Sequence, residues 1–136
     1  DVAPSRGLGD VYKRQIHMTL RECYEMMCGD YEGVTGRLVS ESLVRKFALK
    51  FLNDPSFGQL QAAIESGDGA EAFRASHTLK GICLNLGFTA LFDASSDLTE
   101  KLRGNNTLDD ESKSLFARVH EEYDRTIQAI EKLDPQ

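Results

Sequence analysis

The sequence predicts an all-α protein: an up-down antiparallel four-helix bundle preceded by one or two short N-terminal helices. Three observations carry that expectation. Apolar residues recur at three- and four-residue intervals through most of the chain, the spacing of one buried helix face. The three prolines, Pro4, Pro55 and Pro135, leave long stretches free of the residue that breaks helices. No segment alternates as a half-buried strand does, and there is no internal repeat. At 136 residues the chain fits one domain with its own core, and short connections favour antiparallel neighbours.

The elements follow in order. Residues 1–15, DVAPSRGLGDVYKRQ, show no period of either kind and resemble a translated adapter of the sort fused to assembled environmental sequences. Residues 1–17 are therefore expected to be non-native or disordered, with the domain over 18–136. Thr19 can cap a first helix carrying Leu20, Cys23, Tyr24 and Met27, and Gly29-Asp30 breaks it. Residues 31–39 hold two glycines and predict only a short, weak helical turn. Leu43, Val44, Phe47, Leu49, Phe51 and Leu52 mark the next helix, stopped by Asn53-Asp54-Pro55. Ser56, with Gln59 three residues on, is expected to cap a helix bearing Phe57, Leu60, Ala63 and Ile64. Residues 70–86 form another helix, ended by Gly87. Thr89 is expected to cap a helix over 90–103 that turns Leu91, Phe92, Ala94, Ser95, Leu98 and Leu102 inward. After the turn Gly104-Asn105-Asn106, residues 109–133 make one long helix, acidic at its start as the helix dipole prefers.

Composition removes several classes of function. A net charge of −6 argues against a bare nucleic-acid binder, which needs clustered Lys and Arg. The cysteines, Cys23, Cys28 and Cys83, are odd in number and lack a CxxC pair, so neither a disulfide framework nor a zinc site is expected. They read as reduced thiols of a cytoplasmic protein. No apolar run of about 18 residues offers a membrane span, and no charged-then-apolar pattern of a signal peptide is found in the sequence. No P-loop occurs. A metal-binding bundle would need ExxH pairs, and none occurs; His17 and His120 stand far from His77. No metal site is expected.

One stretch does not fit a bare structural helix: SHTLKGICLNLG, residues 76–87. At about 100° per residue, Ala75, Leu79, Ile82 and Leu86 fall some 140–200° around the helix from His77. That stripe must face the core, so His77 faces away from it, with Phe73, Arg74, Lys80, Gly81 and Leu84 on its side. Gly81 costs roughly 1 kcal/mol relative to alanine inside a helix. A neutral imidazole is a nucleophile near neutral pH. Lys80, at i+3, can offset negative charge on a group attached to it. Gly81, at i+4, removes a side chain that would crowd the ring or an incoming group. Apolar Phe73 and Leu84 around a polar centre suit a docking surface, and Asn85, about 80° from His77, can line its edge.

His77-Thr78-Leu79-Lys80-Gly81 followed by Asn85-Leu86-Gly87 closely resembles the signature of histidine-containing phosphotransfer (HPt) domains. The agreement extends to Ala72-Phe73-Arg74-Ala75-Ser76 and to Leu91, Leu98 and Arg103, except that alanine is common where Ser76 stands. The resemblance implies a four-helix bundle with an extra N-terminal helix or two. It implies His77 as phosphoacceptor, typically on Nε2, Lys80 as stabiliser of the phosphoryl charge and Gly81 as the clearance residue. Phe73, Arg74, Leu84 and Asn85 would contact the partner, a response-regulator receiver domain or a sensor histidine kinase. The chain would bind no cofactor itself, and Mg²⁺ is expected in the partner receiver. It would be a phosphocarrier rather than an autonomous enzyme. Because the last helix runs almost to Gln136 with no kinase domain after it, a stand-alone module is expected; one self-contained bundle predicts a monomer, and the reduced cysteines a cytoplasmic protein. The alternative is a helical adaptor that docks a receiver or kinase without carrying phosphate. The joint presence of His77, Lys80 and Gly81 counts against it.

Overall fold

The computed structural model describes residues 17–105 and 107–133; the expectation for residues 1–17 falls, His17 apart, outside the described residues. Among the described residues there are seven helices and no β-strand: α1 Leu20–Met26, α2 Tyr31–Leu38, α3 Glu41–Phe51, α4 Ser56–Ser66, α5 Gly69–Leu86, α6 Thr89–Leu102 and α7 Asp110–Glu131. The all-α helical bundle predicted from the sequence is the architecture found. Two short helices, α1 and α2, come first, and α3 lies between them and the bundle.

Most helices start on a side chain that accepts an orphan backbone N–H. Thr19 and Glu22 form a reciprocal capping box at α1, with bonds of 3.1 and 3.0 Å. Asp30, Ser40, Asp68 and Asp109 cap α2, α3, α5 and α7 by accepting from the N–H three residues on. Two expected caps are not caps. Ser56 and Thr89 are the first helical residues, and the residues before them, Pro55 and Phe88, make no side-chain capping bond. At α4 the Asp54 carboxylate takes the Ser56 N–H instead, at 2.8 Å. At α6 packing replaces the bond: the Phe88 ring is buried, its centre 5.1 Å from that of Phe51 and 5.8 Å from that of Tyr24. The weak turn expected at 31–39 is two turns of helix, because buried Val34 lies against Gly87 and outweighs the low propensity of the glycines.

Helices α4 to α7 form the bundle. α5 packs against both α4 and α6, and α6 against α7. Two-residue connections join α4 to α5 and α5 to α6, so these neighbours run antiparallel. Phe57 of α4 closes the ring by stacking on Tyr123 of α7, ring centres 3.9 Å apart. Leu60, Leu79, Leu91, Leu98 and Leu102 are fully buried where these helices meet. Each such burial contributes roughly 1.5–3 kcal/mol.

The N-terminal helices are stitched to the turn after α5. Tyr24 Oη donates to the Leu86 carbonyl at 2.6 Å, and Asp30 N donates to the Gly87 carbonyl at 2.8 Å. Gly87 has φ +72°, and a Cβ there would lie 3.0 Å from Asp30 O and 3.1 Å from Val34 Cβ. It therefore both ends α5 in the left-handed region and admits α2. Met18 N donates to the Lys132 carbonyl at 2.6 Å, tying the approach to α1 to the end of α7. No helix among the described residues is long and apolar enough to cross a membrane.

Candidate functional site

α5 sets the geometry of the site. Ala72, Ala75, Leu79 and Cys83 are fully buried along its inner side, and His77 is exposed on the outer side, as the helical angles require. Beside it stands Phe73, one turn earlier and half-buried, ring centres 6.0 Å apart. Leu84, two turns later, is 56% exposed, with Val39 one of two large apolar side chains left open among the described residues. Gly81 is exposed, and a Cβ built there would meet nothing within 4 Å beyond its own helix backbone and chain neighbours. Among the described residues no side chain beyond those of its chain neighbours comes within that distance, not even the His77 ring.

Arg74 and Lys80, three residues before and three after His77, lean to opposite flanks. Arg74 bonds Glu71 on its own helix and Gln59 of α4. Lys80 reaches α6, with Nζ 3.6 Å from Glu100 Oε2. Glu100 also receives Arg103 through two bonds, Nε to Oε1 at 3.1 Å and a terminal nitrogen to Oε2 at 3.0 Å. This hydrogen-bonded Arg103, then Lys80, hold the Glu100 carboxyl below the usual carboxylate range. Arg103 in turn lies over the Phe73 ring, its guanidinium carbon 5.4 Å from the ring centre.

The structure thus brings His77, Phe73, Lys80 and Gly81 onto one outer surface and adds Glu100 from α6 and Arg103 from just past its end. Asn85 stands apart. Eight residues beyond His77, about 12 Å along the helix, it lines a separate cleft of about 480 Å³ with Phe47, Phe51, Ile82 and Leu86. Its backbone carbonyl is taken by Arg37 at 3.2 Å. His120 is remote from His77 in sequence and sits on α7 beside Phe57, 3.5 Å from Asp124.

Directly behind the site lies a seam of hydroxyls that the sequence reading passed over. Ser76 Oγ donates to the Ser95 carbonyl at 3.1 Å and lies 2.7 Å from Thr99 Oγ1, which donates to the same carbonyl. All three residues are buried. Serine preceding the histidine therefore has a local reason here: it fixes α5 against α6, and so Lys80 against Glu100. The one visible signal for Glu100 was its i,i+3 spacing from Arg103. That it faces Lys80 depends on how the two helices are set against each other.

An exposed imidazole, a neighbouring ammonium and an open position one turn away can accept a small anionic electrophile and leave room for the protein that brings it. Comparison with protein families matches residues 53–131 to the family described as Hpt domain. The matched stretch runs from the entry of α4 to the end of α7 and contains every candidate site residue. Comparisons with curated proteins and with solved structures give no significant match.

Proposed function

The chain belongs to the Hpt domain family, whose members carry out phosphotransfer in two-component signalling, and from that premise we propose that His77 accepts a phosphoryl group and relays it to or from an aspartate of a receiver domain. The observation that supports this reading most is the placement of His77, exposed opposite the buried stripe of α5, with Lys80 three residues on and open space at Gly81. In the forward step an unprotonated ring nitrogen attacks phosphorus, the N–P bond forms, and the P–O bond to the aspartyl carboxyl breaks. The aspartate leaves as a carboxylate, and the other ring nitrogen keeps its proton. Lys80 offsets charge on the phosphoryl oxygens. Mg²⁺, if the partner receiver holds it, would supply further neutralisation of the phosphoryl charge. Phe73 and Leu84 supply apolar contact around the centre, and the flanking Arg74 supplies a charge at its rim. The chain works as a monomeric cytoplasmic carrier over residues 18–136, and its docking surface selects the kinase or regulator.

The test is transfer from a phosphorylated receiver domain in the presence of Mg²⁺, with the label mapped by mass spectrometry under alkaline conditions that preserve phosphohistidine. Label is expected on His77. His77→Gln should abolish uptake with helicity and melting temperature unchanged, because the side chain is not in the core. Label on the variant would defeat the assignment. No label on the folded wild-type chain, across a panel of receivers, would favour the adaptor that docks without carrying phosphate.

A further inference from the structure

Two cations flank the His77 surface on its α6 side, and one carboxylate holds both. Arg103 grips Glu100 through two hydrogen bonds of 3.1 and 3.0 Å. Lys80 reaches the same group at 3.6 Å, beyond hydrogen-bond distance. Arg103 is further fixed over the Phe73 ring. Lys80 is thus the looser of the two partners and sits three residues from the imidazole on a helix face it shares with it. With Lys80 and Arg103 at +1 each and Glu100 at −1, the cluster carries a net charge of +1 before any phosphoryl group arrives.

We infer that Glu100 is a positioning residue that competes with the phosphoryl group on His77 for Lys80. The inference rests on His77 being the phosphoacceptor. In the unmodified protein Glu100 parks Lys80 on α6. Once a phosphoryl group is on the ring, Lys80 can serve only one anion well, and Arg103 remains to hold Glu100. Whatever Lys80 gains at the phosphoryl oxygens is reduced by what it gives up at Glu100. The phosphorylated state is therefore less stable than the lysine alone would make it, and the group is kept easier to pass on. Glu100 never touches the reacting atoms. It acts through the lysine, and its reach to that lysine is set by the Ser76–Ser95–Thr99 seam behind them.

The test uses the full chain charged with inorganic phosphoramidate, a small donor whose phosphoryl group moves to the ring nitrogen as ammonia leaves, so no partner protein is needed. The half-life of phosphohistidine is then followed in the wild type, Glu100→Gln, Glu100→Asp, Lys80→Ala and the Lys80→Ala/Glu100→Gln double variant. Removing an exposed competing charge should lengthen the half-life roughly two- to fivefold in Glu100→Gln. Glu100→Asp, which keeps the charge, should stay near wild type. The effect of Glu100→Gln should vanish when Lys80 is absent. An unchanged half-life in Glu100→Gln would overturn the inference and leave the phosphoacceptor assignment intact. Equal lengthening with and without Lys80 would also overturn it, since Glu100 would then act on the phosphoryl group directly. Failure of the wild type to take label on His77 would instead remove the assignment itself, and the inference with it.

Discussion

A methyl group added at Gly81 would meet nothing within 4 Å beyond its own helix backbone and chain neighbours. Glycine is nonetheless the poorest ordinary helix former. Gly81→Ala should therefore raise the unfolding free energy by roughly 0.5–1 kcal/mol, measured in urea, while slowing transfer from a phosphorylated receiver. Gain of stability with loss of transfer would separate a residue kept for an incoming surface from one kept for the fold. A rate equal to wild type would remove Gly81 from the site. His77, Lys80 and Gly81 were legible in the sequence because one helix carries them all, and a rise and a rotation per residue place them without further information. Glu100 was not legible, because its role depends on a neighbour 20 positions away on another helix. Ser76 read as a small departure from the usual alanine, and only the buried contacts across to α6 give it a purpose.

At the scale of elements, α5 and α6 are held by more than apolar packing. Ser76 and Thr99 share the Ser95 carbonyl inside an otherwise apolar interface. Ser76→Ala should cost roughly 1 kcal/mol, since Thr99 keeps its bond to that carbonyl and no donor is stranded. The same variant should alter the lifetime of phosphohistidine at His77 by loosening the register of Lys80 against Glu100. A stability loss with no change in lifetime would confine the seam to a structural role. Element existence followed from periodicity across the bundle and the Thr19 cap from its residue type, whereas the starts of α4 and α6 and the weak helix α2 did not. α2 forms because Val34 finds Gly87, and α6 begins where it does because Phe88 is anchored between Tyr24 and Phe51. Both reasons lie in distant parts of the chain, beyond the reach of local propensity.

Across the whole molecule, burial sorts the three cysteines. Cys28 is exposed, with Arg125 3.3 Å from its sulfur. Cys23 and Cys83 are fully buried, and burial pushes the Cys23 thiol up to about 12 and the Cys83 thiol up as well. An aromatic disulfide reagent at pH 8 should label one thiol rapidly in the folded protein and all three in denaturant. Rapid labelling of two or more in the folded protein would mean the core opens locally around α1 or α5. The expectation from cysteine count, free thiols without a framework, matches the three free sulfurs found. Which of them is reachable was set by packing. The stitching of α1 to later parts of the chain has a consequence for the protein as it is made. Translation delivers residues in order, yet the carbonyl that receives Tyr24 Oη comes 62 residues later, roughly 3–12 s at ordinary synthesis rates. The partner of Met18, at Lys132, comes later still. α4 and α5, by contrast, are consecutive and meet as soon as both have left the ribosome. The helix carrying His77 thus has a neighbour to pair with as soon as it emerges, and a nascent chain halted after Arg103 would carry every residue of the His77 surface, with Leu86 and Gly87 already there to receive the N-terminal helices and the Met18 partner at Lys132 still to come.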